Sequence, residues 1–514
     1  MSKIEIIVTM KKSVLVLFFF MLLTSGYAQK GYEIKINFKN CKDTVAYLAF
    51  YQFDKTYIAD TCKKVVKGKI IFKGKKNLDK GIYALVSEKK TIYFDFFVDE
   101  QSQNLEINTD IEDVIKNLNY PNSVQNQNFV GYTQFIASRN VLFEDFRKQT
   151  KGMNKADSTA LMKTKIKFLN ETVADFEQKF VEQNKGSFVG DAINLKTEKL
   201  ATDIPKASNG RPDSLFVYKY YKKHFWDGVN FHDDGLMRTP YLASRVKNYF
   251  ENIVVRHPDS VNVEIDRMMA RTTPGTKMNI LLLAYFTSTY EVTKIMGFDA
   301  VFIHIIDTYF RTGKAKDIYD NQTIKNIIKR GDILSPLLLG KTAPDLFMID
   351  AKNHEKFAKM GFDTAKTSEA ATKLYYDNLP EIEKSYLKLS SIKADYLVLA
   401  FWDVDCSHCM VEIPKLLEEY HKLLSDNKDV KVYAVYTQND YEKYSKYIAD
   451  KKLDWINVYD AVHINNLKDK YDIVSTPVLY ILDRDKKIKA KLIGVEQVKD
   501  FIGHMETEYK EAKK

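Results

Sequence analysis

The sequence predicts a multidomain protein with an N-terminal all-β, sandwich-like domain, an all-α middle domain and a C-terminal α/β domain. The chain has 514 residues, which is more than one hydrophobic core usually serves. Apolar and polar residues alternate up to about residue 111, and apolar residues then recur every three or four positions. Beyond residue 335, strand and helix patterns alternate. We therefore predict domains over residues 29–111, 112–335 and 336–514.

Residues 1–28 are predicted to be a signal peptide. Lys11-Lys12 precedes an apolar run from Val14 to Leu23, and small residues occupy the −3 and −1 positions of a cleavage site after Ala28. The run is shorter than the ~20 residues that span a bilayer, so a transmembrane anchor is the less favoured alternative. No cysteine follows the run closely, so a lipoprotein is not expected. These features predict a periplasmic protein.

Composition narrows the possible classes further. An apolar content of 45% and a charged content of 28% are ordinary for a globular protein and exclude disordered and fibrous classes. The net charge of +10 is spread along the chain without an Arg-rich run or a groove-reading motif. We therefore expect a solvated, Lys-rich surface and no nucleic-acid partner.

The N-terminal segment reads as a series of short strands. Apolar and polar residues alternate from Tyr32 to Phe38, as in a half-buried strand. Similar runs follow and predict a small sandwich or barrel: Val45–Tyr51, Lys69–Phe72, Ile82–Val86 and Ile92–Val98. Cys41 and Cys62 also lie here. In an oxidising compartment they are candidates for a structural disulfide, with two buried free thiols as the alternative, and the sequence leaves the choice open.

The middle segment has the periodicity of amphipathic helices. One apolar stripe, predicted to face a core, steps by four and three: Met162, Ile166, Leu169, Val173, Phe176 and Phe180. Further helices are expected near residues 215–226, 240–255, 277–290, 298–311 and 315–330. The C-terminal segment then alternates buried strands, such as Tyr396–Phe401 and Val430–Tyr436, with helices. Residues 350–391 are polar without a clear element and are interpreted as an insertion beside this domain.

Cys406 and Cys409 are the residues that carry chemistry. They form a Cys-x-x-Cys motif directly after a buried strand and at the start of a predicted helix. One helical turn brings the two sulfurs together, and the helix N-terminus stabilises the first as thiolate, the species that attacks disulfides. Thr476-Pro477 stands at the mouth of a later strand, where a cis bond is predicted and an ordinary edge-strand proline is the alternative.

Four segments together resemble the TlpA/ResA-type periplasmic thioredoxin-like proteins, over residues 336–514. They are Gly340-Lys-Thr-Ala-Pro344-Asp-Leu-Phe347, the strand end Phe401-Trp402, Cys406-x-x-Cys409-x-x-Glu412-x-Pro414 and Ser475-Thr-Pro477. The resemblance implies a thioredoxin-like fold and disulfide exchange, with Cys406 as nucleophile, Cys409 as resolving thiol and Pro477 as cis-proline. It also implies protein thiols and disulfides as substrates, a membrane-linked electron donor or acceptor and no cofactor. The N-terminal strands loosely resemble a small β-domain of unknown function that precedes such domains.

Several neighbours are expected to modulate the pair. Glu412 is a candidate to relay the proton of Cys409, because Ala400 stands where ordinary thioredoxin has an aspartate; a solvated helix carboxylate is the alternative. Asp405 stands where the family usually has Trp and disfavours the thiolate, whereas a protonated His408 favours it. Trp402 and Thr476 are the remaining expected modulators.

The direction of electron flow is therefore open, with reduction of protein disulfides favoured over oxidation. Pro414, one turn into the predicted helix, is expected to kink it. Two other functions compete with disulfide exchange. Cys406, His408, Cys409 and Met410 are soft ligands for Cu(I) or zinc, although four ligands within five residues make an awkward site. Alternatively, the C-terminal domain is a redox-idle binding module and the helical domain makes the contacts.

Overall fold

The computed structural model describes residues 31–316, 318–365 and 367–512, so the predicted signal peptide lies outside the described residues. The chain divides into two compact units. The first comprises the residues up to Val255 together with Ala270–Leu281, and the second comprises Arg256–Met269 and the chain from Leu282 onward.

The first unit begins with two facing sheets. Their strands are β1 (Tyr32–Lys39), β2 (Ala46–Gln52), β3 (Lys55–Cys62), β4 (Lys69–Gly74), β5 (Gly81–Val86), β6 (Ile92–Val98) and β7 (Asn104–Asp110). The sheets have the orders β4-β1-β7 and β3-β2-β5-β6. Alternate residues of β1, Ile34, Ile36 and Phe38, share one core with Leu48 and Phe96 of the second sheet. The predicted sheet-rich N-terminal region is confirmed.

Helices follow the sheets in the first unit. They are α1 (Val124–Gln149), α2 (Lys155–Gln183), α3 (Phe188–Asn194), α4 (Ser214–His224) and α5 (Pro240–Asn248). Side chains cap three of their N-termini, as when Asn154 accepts the backbone N–H of Asp157. The predicted helical middle region is confirmed, but one part of the predicted core stripe is wrong. Leu169 and Phe180 are buried, whereas Ile166 is 39% exposed, so the part of the apolar face of α2 around Ile166 is left open to solvent.

The second unit is built on a seven-stranded sheet. Its strands are β8 (Phe347–Asp350), β9 (Tyr386–Lys388), β10 (Tyr396–Trp402), β11 (Val430–Tyr436), β12 (Ile456–Tyr459), β13 (Val478–Asp483) and β14 (Ile488–Lys491), in the order β14-β13-β10-β11-β12-β8-β9. β10 pairs parallel to β11 and antiparallel to β13. Every residue of β10 is buried, and its side chains alternate between two apolar clusters on opposite faces of the sheet.

The second unit also contains helices. They are α6 (Pro258–Ala270), α7 (Lys277–Glu291, whose start belongs to the first unit), α8 (Asp299–Ile305), α9 (Asn321–Leu334), α10 (His354–Lys359), α11 (Ser368–Asp377), α12 (Leu379–Ser385), α13 (Ser407–Ser425), α14 (Tyr441–Lys451), α15 (Leu467–Tyr471) and α16 (Val498–Ala512). The expectation that residues 350–391 lack clear elements is wrong. Helices α10–α12 occupy that stretch, and their few apolar side chains, such as Phe357 and Ile382, reach the core and hold them to the sheet.

A buried ion pair joins two elements of the second unit that are far apart in sequence. Lys491 of β14 pairs with Asp299 at the start of α8 and also donates to the carbonyl of Leu337. The side chains of Lys491 and Asp299 are 5% and 9% exposed. The helices that precede the sheet in the chain are therefore tied to it by charge as well as by apolar packing.

Candidate active site

Cys406 caps the N-terminus of α13, immediately beyond the end of the central strand β10. Its sulfur accepts the backbone N–H of Cys409 at 3.4 Å, and its thiol donates to the carbonyl oxygen of Thr476 at 3.1 Å. Burial raises the pKa of the Cys406 thiol, but hydrogen bonds from the side chain of Thr476 and from the backbone of Cys409 and His408 outweigh it, so the pKa lies below its usual value. The position favours a thiolate that solvent reaches.

Cys409 lies one turn inside α13 and has the opposite character. Its side chain is completely buried in the apolar cluster that also contains Trp402. Burial, reinforced by the neighbouring Cys406, raises the pKa of the Cys409 thiol to about 12. The pair thus combines an accessible thiol of low pKa with a buried thiol of high pKa. Thiol–disulfide exchange needs the first to attack a disulfide and the second to resolve the mixed disulfide.

The loop before β13 completes the surroundings of the two sulfurs. The peptide bond between Thr476 and Pro477 is cis. β13 runs antiparallel to β10 with Val478 opposite Phe401, and this register brings Thr476 next to Cys406. The structure therefore brings together Cys406, Cys409 and the Thr476-Pro477 segment, which are about seventy positions apart in the sequence.

The two charged modulators expected from the sequence are both exposed. Asp405 forms an ion pair with Lys443 of α14, whose Nζ lies 3.1 and 3.2 Å from the two carboxylate oxygens. Both side chains are more than half exposed, so solvent weakens the pair. The side chain of His408 is exposed. Sequence reasoning missed Lys443, because nothing in the spacing of a lysine 38 positions away indicates that it meets Asp405.

Glu412 lies one turn beyond Cys409 on α13. Its carboxylate is 26% exposed and accepts a hydrogen bond from Lys415 at 2.8 Å. The predicted role of Glu412 as a proton relay stays a prediction. Pro414 lies inside α13, and the helix continues past it to Ser425.

Buried aromatic side chains lie behind Cys409. Trp402 is fully buried, and its ring centroid lies 5.4 Å from that of Tyr447 and 6.2 Å from that of Tyr436. Within the described residues, the indole N–H of Trp402 and the hydroxyl of Tyr447 are buried without a hydrogen-bond partner. Burial and then the charge of Cys409 raise the pKa of Tyr447, so its hydroxyl stays neutral beside that thiol. Sequence reasoning missed Tyr447, because one tyrosine of a Tyr-rich helix carries no distinguishing pattern.

The two remaining cysteines lie in the first unit. Cys41 is half-buried, and Cys62 is buried and donates to the carbonyl of Lys64 at 3.6 Å. The structure describes all four cysteines in the reduced form, and a disulfide between Cys41 and Cys62 in an oxidising compartment stays a prediction. Over the described ranges, no group of three His, Cys, Asp or Glu side chains is arranged to hold a metal ion. Among the same residues, no helix is long and apolar enough to cross a membrane.

Comparisons with known proteins agree with this geometry. A family model described as thioredoxin-like matches residues 394–488, and a model for a domain of unknown function matches residues 176–329. A crystallised domain of a possible thiol-disulfide isomerase from Cytophaga hutchinsonii is 34% identical to this chain. The match covers 98% of that domain and 34% of this chain, with a TM-score of 0.27. No curated protein matches.

Two further solved structures are similar. A thioredoxin-like protein from Bacteroides caccae is 17% identical, with 59% of this chain and 98% of that chain covered and a TM-score of 0.42. A thiol:disulfide interchange protein from a Bacteroides species is 25% identical, with 32% and 90% covered and a TM-score of 0.24.

An accessible cysteine at a helix N-terminus, a buried second cysteine one turn on and an adjacent cis-proline loop define the class of thiol–disulfide oxidoreductases. On the family match and on the 34% identity over nearly all of the isomerase domain, the chain belongs to the thioredoxin-like family of these enzymes.

Proposed function

We propose that this protein is exported and uses the Cys406–Cys409 pair to reduce disulfide bonds of other proteins. The contrast between the two thiols carries the proposal, since Cys406 is accessible with a lowered pKa and Cys409 is buried with a pKa raised to about 12. The Cys406 thiolate attacks a substrate disulfide, forms a mixed disulfide and releases one substrate thiolate, which takes up a proton. Cys409 then loses its proton, attacks Cys406 and releases the second substrate thiolate.

The interactions that stabilise the Cys406 thiolate favour reduction over oxidation as the function of the pair. The leading contributions are hydrogen bonds from Thr476 and from backbone N–H groups, and none is the charge of a cation. Strongly oxidising centres rest on a reduced form that is greatly stabilised. Lys443 forms ion pairs with Asp405 and Asp440, so these two carboxylates neutralise its charge. After each turnover an upstream, membrane-linked donor would return two electrons to the Cys406–Cys409 disulfide.

The test is the reduction potential of the pair in the mature chain, measured by equilibration with dithiothreitol and glutathione buffers. A value near thioredoxin's, about −270 mV, supports the reductase, and one near −120 mV would identify a disulfide donor instead. Cys406→Ser and Cys409→Ser should each abolish the equilibrium, whereas the matched control Cys62→Ser should not change it. An unchanged reduction of insulin by Cys406→Ser would refute the proposed chemistry.

The proposal that the protein is exported is supported by the N-terminal pattern of basic residues, an apolar run and then small residues, which ends at Ala28. Expression in a Gram-negative host followed by N-terminal sequencing of the periplasmic fraction tests it. A mature N-terminus near Gln29 is expected. Full-length protein that stays in the cytoplasm would refute the export proposal and leave the thiol chemistry untouched.

A further inference from the structure

The first unit contains a cleft whose lining includes none of the residues used in the proposed thiol chemistry. It has a volume of about 370 Å³ and lies between β6 and α1. Aromatic rings of Tyr93, Phe129, Tyr132 and Tyr241 line it. The volume, and a lining that combines aromatic and aliphatic side chains with a few polar groups, are those of small-ligand pockets.

Asp95 of β6 brings a carboxylate into this cleft. It lies opposite Ala84 in the sheet register, and its side chain accepts a hydrogen bond from the Tyr51 hydroxyl at 2.9 Å. Throughout the part of the chain that the structure describes, Asp95 forms no ion pair with a Lys, Arg or His. Burial raises the pKa of Asp95 to about 6, against the opposite effect of Tyr51, so the carboxylate still carries its charge at neutral pH.

The cation that also lines the cleft is already neutralised. Nζ of Lys196 lies 3.3 Å from the buried carboxylate of Glu177 and donates to the Tyr132 hydroxyl. The same ammonium stands 5.0 Å from the ring centroid of Tyr132 and 5.4 Å from that of Tyr241. The charge of Lys196 therefore balances Glu177, and the charge of Asp95 remains uncompensated.

The hydroxyl of Tyr120, near this carboxylate, has no hydrogen-bond partner within the described residues. Tyr120 is only 2% exposed. Burial and then the charge of Asp95 raise the pKa of Tyr120 well above its usual value. A carboxylate without a counter-ion and a buried hydroxyl without a hydrogen-bond partner lower stability, and such groups call for a functional explanation.

We propose that this cleft binds an organic cation, an alkylammonium or alkylguanidinium group, whose charge pairs with Asp95 and whose apolar stem lies against the aromatic rings. Charge-assisted hydrogen bonds and ring faces recognise this chemistry and reject neutral or anionic molecules of the same size. The group belongs either to a free amine or to a Lys or Arg side chain of a polypeptide.

Isothermal titration of the mature chain with butylguanidinium and butylammonium tests the inference, with butanol as the neutral probe. Binding of both cations and none of butanol is expected. Asp95→Asn should weaken cation binding by about tenfold or more, because only the charge is removed. The matched control Asp54→Asn, which removes an exposed carboxylate of the same unit paired with Lys247, should not change it.

The wild-type protein provides a second readout that needs no variant. Between pH 7.5 and pH 5 the affinity should fall about tenfold as Asp95 takes up a proton, given its pKa of about 6. Tyr51, Tyr120 and Tyr241 also face this carboxylate and stay neutral, because burial raises their pKa. The Glu177–Lys196 pair is the other charged neighbour of the cleft.

Three results would overturn the inference: no cation binding at millimolar concentration, equal binding of butanol, or unchanged affinity in Asp95→Asn that is folded by circular dichroism. Comparing butylguanidinium with the peptide acetyl-Gly-Arg-Gly-amide distinguishes the two sources. Tighter binding of the peptide assigns the site to a polypeptide side chain, and equal or weaker binding assigns it to a free amine.

Discussion

Alkylation of the reduced protein by iodoacetamide will separate the two active-site thiols by at least ~40-fold at pH 7.5. With a pKa of about 12, Cys409 is thiolate in about one molecule in 30,000, whereas Cys406, below the ordinary 9.0, is thiolate in more than about 3%. The fraction of Cys406 that is thiolate therefore exceeds the fraction of Cys409 that is thiolate by about a thousandfold. The more basic thiolate is the better nucleophile. Over three pKa units this makes the ratio of the two alkylation rates about 20-fold smaller than the ratio of the thiolate fractions.

Peptide-level mass spectrometry across pH 6–10 measures this, because it reads Cys41 and Cys62 separately from the active-site pair. Cys406 should react with a midpoint below pH 9, and Cys409 should still be largely unmodified at pH 10. Burial of Cys409 widens the difference further, so the estimate is a lower bound. Equal rates for the two thiols, or a Cys409 midpoint below pH 9, would refute the assignment of nucleophile and resolving thiol.

Three further outcomes follow from the described contacts. Tyr447→Phe should slow release of a mixed disulfide by about tenfold while leaving its formation unchanged. The substitution removes a neutral hydroxyl near Cys409 that has no partner within the described residues and that would donate to the Cys409 thiolate formed in this step. Quenched-flow trapping of the mixed disulfide measures both steps. Lys443→Met should raise the alkylation midpoint of the nucleophilic thiol only slightly, because the ion pair it removes is exposed. Asp95→Asn should raise the free energy of unfolding at pH 7.5 by up to about 3 kcal/mol, since burial raises the pKa of this carboxyl from 3.8 to about 6.

Each of these outcomes has a control. Tyr436→Phe removes a hydroxyl from the same aromatic cluster that donates to the backbone of Asp440, so it should leave the resolving step unchanged. A shift of a full pH unit in the Lys443 variant would contradict the weak, exposed pairing. For Asp95, a folded-state pKa that is raised means that the wild type loses stability as pH rises from about 4 to about 6. The gain in Asp95→Asn should therefore vanish near pH 4, and urea unfolding at both pH values measures it.

The sequence predicted those features that local pattern determines. The unbroken apolar run Tyr396–Trp402 indicated a strand buried on both faces, and Cys406 at the following helix start indicated the geometry that the structure has. Strand β3 was missed because most of its side chains are exposed, so it lacks an apolar face to recognise. The helices of the 351–385 insertion were missed because only scattered side chains such as Phe357 anchor them.

Features that depend on tertiary proximity were beyond local pattern. Lys443 pairs with Asp405, and Tyr447 lies within electrostatic range of Cys409, because β10 and β11 pair in parallel. The helices that follow these two strands therefore begin at the same edge of the sheet. Asp95 is one polar residue among the apolar residues of β6. In the sequence, an ordinary solvent-facing residue of an edge strand would give the same pattern. Its unusual surroundings are created by Tyr51 and Tyr241, from another strand and from a helix.

The ion pair between Lys491 and Asp299 determines where a fragment of this protein should begin. A fragment that begins at residue 336, where the redox fold begins in the sequence, keeps Lys491 and discards Asp299 together with α8 and α9. The fragment would lose the counter-ion of Lys491 together with residues that bury it, Met296 among them, so the ammonium and its neighbours on β14 would meet water. Fragments for crystallisation or activity assays should therefore begin before α6, so that the charge keeps its counter-ion.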